Sequence, residues 1–495
     1  MDLPAVHLCI VQPPGQVHAL GFIDQARYFR HQFRRMGAEV SLAKNRLRHD
    51  AVNLVFGAHL GFEPSLCERY SCIFVNLEQL GAGGAAVSGD YLELLRHSAV
   101  VDYHPDNLAA YGASADDVPI VSFGHAPYLN NASADGCAPA MLPLEQRPID
   151  LLFIGSMNER RQALLQRIER SGRRVSLLSH PLYGPERDDL IRQAKAVVNV
   201  HFYATARFEQ ARAFQCLSLG TAFISERHAG AAIPPQFLDS VHWFDAAQPE
   251  DFFSRVFDTP AFYSASAEHQ QRFAEHEIVG EYAEVLAFAA GYRAEHARQI
   301  TARQPVWRPK RLHIGSGRDY QSGWLNVDIS AAAQPDALLD LAQPLALPLQ
   351  LDNPQIGPTE LQAGSLELIY ASNVLEHVAD LPRMMSNCLQ LLAEGGLMLI
   401  EVPYEHAPTA WQDPTHVRAF NEQSWLYYTD WFWYLGWFEH RFRITEQSYL
   451  GADMQPCDRA HAHFMRLTLG KCRTSDTERM TARTMQADFG GLPED

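Results

Sequence analysis

Basic residues are the scarcity that decides most in this chain. Forty-one lysines and arginines face 58 acids, for a net charge of −17. A nucleic-acid or anionic-membrane binder needs a basic face, so neither partner is expected. Cysteine is thin as well: the eight stand singly, without a Cys-x-x-Cys, and indicate neither a disulfide framework nor a zinc site. No uninterrupted apolar run reaches the ~18 residues of a membrane span. Met1-Asp2-Leu3-Pro4 lacks the basic start and apolar stretch of a secretory leader. These absences lead to the expectation of a cytoplasmic protein without a transmembrane segment, at most peripheral at the inner face of the membrane. What is present is ordinary core material: 47% of the 495 residues are apolar, and that length implies about three domains.

The chain is organised around residues 312–328, where one apolar run ends in Gly315-Ser316-Gly317 and a second ends in Asp328. Glycine after a buried strand lets a cofactor lie against bare backbone, and an acid at the tip of the next strand accepts hydrogen bonds from ribose hydroxyls. Downstream, Asp340 closes Ala-Leu-Leu-Asp. Leu366 to Val378 then reads as a fourth strand with Ser372 and Asn373 at its tip. Over residues 306–470 this arrangement resembles the class I S-adenosylmethionine-dependent methyltransferases, in the branch attached to surface-glycan biosynthesis. The resemblance implies a cofactor site of Gly315, Ser316, Gly317, Asp328, Asp340, Ser372 and Asn373, with Asp340 near the adenine. Only Arg318 to Gly323 separate the glycine turn from the next strand, too few for a crossover helix, which needs about ten residues. A helix-poor crossover is expected, and the absent third glycine argues against a nicotinamide enzyme.

Residues 1–131 read as one doubly wound α/β layer. Strand-like runs stand at Val6–Val11, Ala51–Phe56, Cys72–Leu77, Ala99–Tyr103 and Val118–Phe123, with a helix over Phe22–Met36. Loops at the strand ends carry Gln12, His18, Asn76, Glu78, His104 and His125, which either line an acceptor cleft or cap helices. Residues 132–147, rich in Ala and Pro, read as a linker.

A second sheet opens over residues 148–300 with Ile149 to Ser156, followed by a helix through Ile168. Gly155, Ser156, Arg160 and Arg161 at that helix start combine bare backbone, free N–H groups and cations, which suits a diphosphate. A plain surface helix start accounts for the same residues. Arg207 to Ser225 follows as helix, glycine turn and strand. This stretch resembles the donor half of retaining GT-B glycosyltransferases, more closely those of the spore-maturation type. The resemblance implies Glu209 against the donor sugar or ribose, with Arg212 beside it. The second acid of that family is Gln215 here.

Residues 301–310 read as a polar hinge, 311–472 as the methyltransferase, with a loop-rich insertion over Pro344–Gly364, and 473–495 as a frayed polar tail. Leu381 to Leu392 places Met384, Met385 and Cys388 on one apolar helical face, as core. The aromatics from Trp425 to Phe438 read as core or interface, with a sugar-stacking wall as the alternative. Methyl transfer to oxygen needs alignment and removal of a hydroxyl proton. Histidine suits the second task, and His416 in Asp413-Pro-Thr-His-Val-Arg418 is the first candidate. Asp413 or Glu405 would orient it, with His377 and His406 as further candidates. Asp413 and His416 alone are too few for a metal, and none is expected.

The fold class expected is therefore α/β: two Rossmann-like GT-B halves followed by a class I methyltransferase. The function expected is a bifunctional glycan-assembly enzyme, using S-adenosylmethionine and a nucleotide sugar on a glycan or glycolipid acceptor. A methyltransferase with a degenerate GT-B glycan-binding module is the second reading, and a non-catalytic glycan scaffold the third. A homo-oligomer is compatible with all three.

Overall fold

The computed structural model describes residues 3–81, 83–130, 141–178, 182–202, 207–227, 232–303 and 306–485. The linker through residue 140, Gln304 and Pro305 of the hinge, and the tail from residue 486 lie outside the described residues. The chain forms two compact units, residues 1–44 with 51–299 and residues 45–50 with 300–495.

The first unit holds two five-stranded sheets. Strands β1 (Val6–Ile10), β2 (Val40–Lys44), β3 (Val52–Phe56), β4 (Ser71–Asn76) and β5 (Ala99–Asp102) are ordered β2-β1-β3-β4-β5. Every pair in that sheet is parallel. β1, β3 and β4 are buried at every residue, as parallel strands covered on both faces must be. The second sheet comprises β6 (Ile149–Phe153), β7 (Val175–Leu177), β8 (Ala194–Asn199), β9 (Ala222–Glu226) and β10 (His242–Phe244), ordered β10-β9-β8-β6-β7. Counted within each half, both orders are 2-1-3-4-5. In such a sheet the crevice for a ligand opens at the carboxyl ends between the first and third strands.

One expectation fails here. Val118–Phe123 is no strand and makes only an isolated bridge between Asp102 and Ile120. Pro119, lacking an N–H, breaks the ladder. The half-buried edge strand β2 escaped notice because its apolar alternation is short. The halves also share a hydrophobic cluster, while the second half keeps another of its own. Tyr28, from the helix Phe22–Arg35, packs against Phe123, Phe214 and Tyr282, and Phe123 stacks on Phe214 at 4.9 Å. Tyr282 belongs to the helix Val279–Arg303, which returns from the second half to the first. There Glu281 accepts from the Ser122 N–H at 2.6 Å, and the Tyr282 hydroxyl donates to the Ser122 carbonyl at 2.9 Å. That helix also runs into the stretch read as a hinge.

The second unit is built on one sheet: β11 (Arg311–Ile314), β12 (Leu325–Asp328), β13 (Ala337–Leu338), β16 (Leu366–Ser372), β17 (Leu392–Pro403), β18 (His440–Leu450), β19 (Pro456–Cys457) and β20 (Phe464–Arg473). Their order is β13-β12-β11-β16-β17-β20-β18-β19. The first five are parallel, and β20 inserts antiparallel between β17 and β18. The insertion between β13 and β16 is a hairpin of β14 (Leu349–Asn353) and β15 (Gly357–Leu361) rather than bare loop. No helix lies between β11 and β12, as the short spacing required. The tail does not fray at residue 473. A helix runs over Asp476–Met485, buries Ala482, and pairs Glu478 with Arg441 at 2.5 Å. Among the described residues, no helix is long and apolar enough to cross a membrane.

Candidate functional site

The first site lies at the carboxyl ends of β11, β12 and β16. Gly315 sits at φ +62°, in the left-handed region that glycine enters without steric cost. A Cβ there would come 2.3 Å from a methyl of Val374. Gly317, also left-handed, donates its N–H to Asp328 at 2.9 Å, and Ser330 N–H donates to the other carboxylate oxygen at 2.8 Å. Asp328 thus locks the turn and also lines the open side. A cleft of about 420 Å³ is lined by Gly315, Asp328, Asp340, Asn373, Val374 and His377, among others. Asn373 is left-handed, at φ +52°.

Three expected residues stand behind this wall rather than on it. Ser316 is buried beneath the turn, its N–H donating to the Val327 carbonyl at 3.1 Å. Gly317 contributes its bond to Asp328. Ser372 gives its hydroxyl to Glu401 at 2.9 Å. Burial pushes the Glu401 carboxyl up, but the Arg466 guanidinium and the Tyr370 and Ser372 hydroxyls more than offset this and hold it below the usual carboxylate range.

At the far end of the cleft the loop 413–418 is pinned onto residues 376–379. Val417 N–H donates to the Glu376 carbonyl at 2.8 Å, and Arg418 donates to the Val378 and Ala379 carbonyls, each at 2.8 Å. This brings His416 and His377 edge to face, with ring centres 4.7 Å apart. Neither Asp413 nor Glu405 orients His416, contrary to expectation. Nδ1 of His416 lies 2.9 Å from the Ala410 carbonyl, and Glu405 is occupied by Asn421 at 2.8 Å. Asp413 serves the other histidine. It accepts from the Thr415 hydroxyl at 2.6 Å, and that oxygen lies 2.9 Å from Nδ1 of His377. Both Thr415 hydrogen bonds hold the Asp413 carboxyl below its ordinary range. His406 is exposed and pairs with Glu405 instead.

Sequence reasoning missed Glu376. It is 1% exposed, and neither carboxylate oxygen has a hydrogen-bond partner. Burial pushes its carboxyl up to about 7, against the opposing pull of backbone and His416. Glu376, His377 and His416 each present a ligand atom within 4.8 Å of the others. An adjacent Glu-His pair after a strand was the available signal. The pair Asp413 and His416, too few for a metal, thus gives way to a different set of three that leaves Asp413 out.

In the first unit, a cleft of about 510 Å³ lies at the carboxyl ends of β6 and β7, lined by Gly155, Ser156, Arg212, His18 and Tyr183, among others. Gly155, at φ +146°, leaves the room that the guanidinium groups of Arg161 and Arg212 occupy, 3.0 and 3.4 Å from where its Cβ would be. Arg160 and Arg161 do not line the cleft. Arg160 is clamped by Glu226 at 2.8 and 2.7 Å. Arg161 is buried, donating to the Val200 and Ser156 carbonyls at 2.9 and 2.6 Å, and burial lowers its pKa to about 10. Arg212, held by Asn199 at 2.5 Å, is the cation that faces the space. Glu209 opens onto a neighbouring cleft of about 160 Å³ with Glu78, whose pKa is raised by burial and by Glu209. Of the other loop residues, Asn76 is fully buried and bonded to Asp102 at 2.9 Å, a structural role.

The strand order of the second unit, with one antiparallel strand inserted, defines a Rossmann-like sheet of the methyltransferase type. Residues 282–450 match the family model described as a methyltransferase domain, so this part of the chain carries such a domain. An uncharacterized protein of Acanthamoeba polyphaga mimivirus is 24% identical over 179 residues, 35% of this chain and 51% of its own length. The chain thus spans about half the length of that relative. Among solved structures, Anabaena HepE in complex with UDP and glucose is 12% identical, with 58% of this chain and all of that one covered at a TM-score of 0.37. A SAM-dependent methyltransferase from Archaeoglobus fulgidus is 16% identical, with 37% of this chain and 93% of that one covered at 0.22.

Proposed function

We propose that the C-terminal unit transfers the methyl group of S-adenosylmethionine to a sugar hydroxyl, and that the first unit transfers a sugar from a nucleotide donor, so that the chain works in glycan assembly. The observation that carries the methyl-transfer reading is the cleft in which Gly315, Asp328, Asp340 and Asn373 meet the His377 imidazole, with that of His416 packed against it. The sulfonium supplies its own leaving group, so the protein has to align the two substrates and ease the hydroxyl proton away. His416, with His377 beside it, is the residue in place for that. Calorimetry with S-adenosylmethionine tests the reading directly. Asp328→Ala should weaken binding at least about tenfold, since one charge-assisted hydrogen bond is worth about 1.5–3 kcal/mol and about 1.4 kcal/mol is one decade. Unchanged affinity in a folded variant would remove Asp328 from the site.

For the first unit, the 510 Å³ cleft with the Gly155 backbone and Arg212 supports a nucleotide diphosphate, with Glu209 toward the sugar. A matching nucleotide should raise the melting temperature by mass action. Glu209→Ala should abolish sugar transfer and leave methylation of a supplied acceptor intact. Two observations favour a second reading, a methyltransferase with a glycan-binding GT-B module. Arg160 and Arg161 are committed internally, and the neutral Gln215 stands where a second acid is expected. Absence of both a nucleotide-induced shift and sugar transfer would decide for it.

A further inference from the structure

His377, which lines the cleft, is preceded by a carboxylate that the proposed cofactor site leaves unused. Glu376 is 1% exposed with both oxygens unpartnered, next to two histidines whose remaining bonds are accounted for. A buried carboxyl without a partner is costly in either protonation state: ionised, it lacks a counter-charge, and protonated, its O–H lacks an acceptor. The two rings are prepared in one sense. A backbone carbonyl only accepts, so Nδ1 of His416 carries its proton toward Ala410, leaving the lone pair on Nε2. The Thr415 hydroxyl gives its proton to Asp413 and therefore accepts from Nδ1–H of His377, which again frees Nε2. An outer acceptor that fixes the tautomer and turns the bare nitrogen inward is the support that metal-ligating histidines have.

We propose that Glu376, His377 and His416 bind a divalent transition-metal cation that receives the acceptor hydroxyl. The inference rests on the methyl-transfer reading and deepens it. Two imidazoles and one carboxylate suit zinc, manganese or iron(II) better than magnesium, which prefers an all-oxygen shell. His377 also lines the cofactor cleft, so the cation faces the methyl donor. Bound to it, the sugar hydroxyl becomes more acidic and releases its proton to water. The oxygen then forms a bond to the methyl carbon as the carbon–sulfur bond breaks, and the electron pair goes to sulfur, giving neutral S-adenosylhomocysteine. In this arrangement His416 holds the cation rather than taking the proton itself.

The test uses the full chain, stripped with a chelator and titrated with Zn²⁺ and Mn²⁺ in a calorimeter, with Mg²⁺ as comparison. One equivalent of transition metal per chain is expected, and cobalt loading should give the visible bands of a histidine–carboxylate site without any variant. Glu376→Gln and His416→Ala should each weaken the metal by more than about 100-fold, and Thr415→Val, which removes only the outer support of His377, by about 10–100-fold. The proposal is overturned if stripped wild type binds no metal, or binds it as well as the ligand variants do. S-adenosylmethionine titrated into the same stripped protein separates the two ideas. Cofactor binding without metal binding sinks the cation alone, and metal binding without cofactor binding sinks the methyl-transfer reading on which it rests.

Discussion

Gly315→Val is expected to cost the protein its S-adenosylmethionine affinity by roughly 30- to 3,000-fold. Two costs combine. A side chain held at φ +62° pays about 1–2 kcal/mol for the left-handed backbone. The overlap with Val374 at 2.3 Å adds an overpacking cost of about 1–3 kcal/mol. Relief has two routes, and both fill the cleft: the turn moves outward, or Val374, which lines the cleft, moves in. Gly315 is thus a more sensitive position than Gly317, where an added Cβ meets nothing closer than 3.9 Å. A double variant sharpens the experiment. Gly315→Ala with Val374→Ala removes the overlap and leaves the backbone cost, so part of the affinity should return. A folded Gly315→Val protein that binds the cofactor normally would show that the turn does not touch it.

His416→Ala should reduce methyl transfer by about 10²–10⁴-fold while S-adenosylmethionine affinity stays within a few fold, because activating the hydroxyl is worth about that much. His416→Gln should be nearly as poor, since an amide can hydrogen-bond but offers no imine nitrogen. Single-turnover rates and cofactor titrations on the same preparations give both numbers. If most of the activity survives, the hydroxyl is activated by His377 or by alignment alone. His406, exposed and paired with Glu405, is not part of the cluster.

Much of this organisation was legible because it rests on local signals. Buried β-branched runs announce parallel strands, and a glycine turn followed by an acid announces a crevice at the strand ends, where Gly315, Asp328 and Asn373 line one cleft. What stayed hidden depends on partners distant in the chain. Nothing near Arg160 reveals that Glu226 will neutralise it, and nothing near Glu376 reveals that residues 413–418 will fold over it. Sequence distance points Asp413 to the nearer histidine, whereas the Thr415 hydroxyl links it to His377. The short crossover after the glycine turn was predictable for the opposite reason, since six residues limit what any fold can do with them.

The helix Val279–Arg303 has a consequence for the order in which the first unit is made. Tyr282, Val285, Leu286 and Ala289 belong to the same buried cluster as Val6, Leu8 and Phe29. During synthesis the opening strands leave the ribosome first, yet the side chains that close their core follow only after the whole donor sheet. Until then, Tyr28, Phe29 and Phe33 on the helix Phe22–Arg35 lack the Tyr282 ring that each of them packs against. The core of the opening sheet is therefore completed only when the helix Val279–Arg303 has been made.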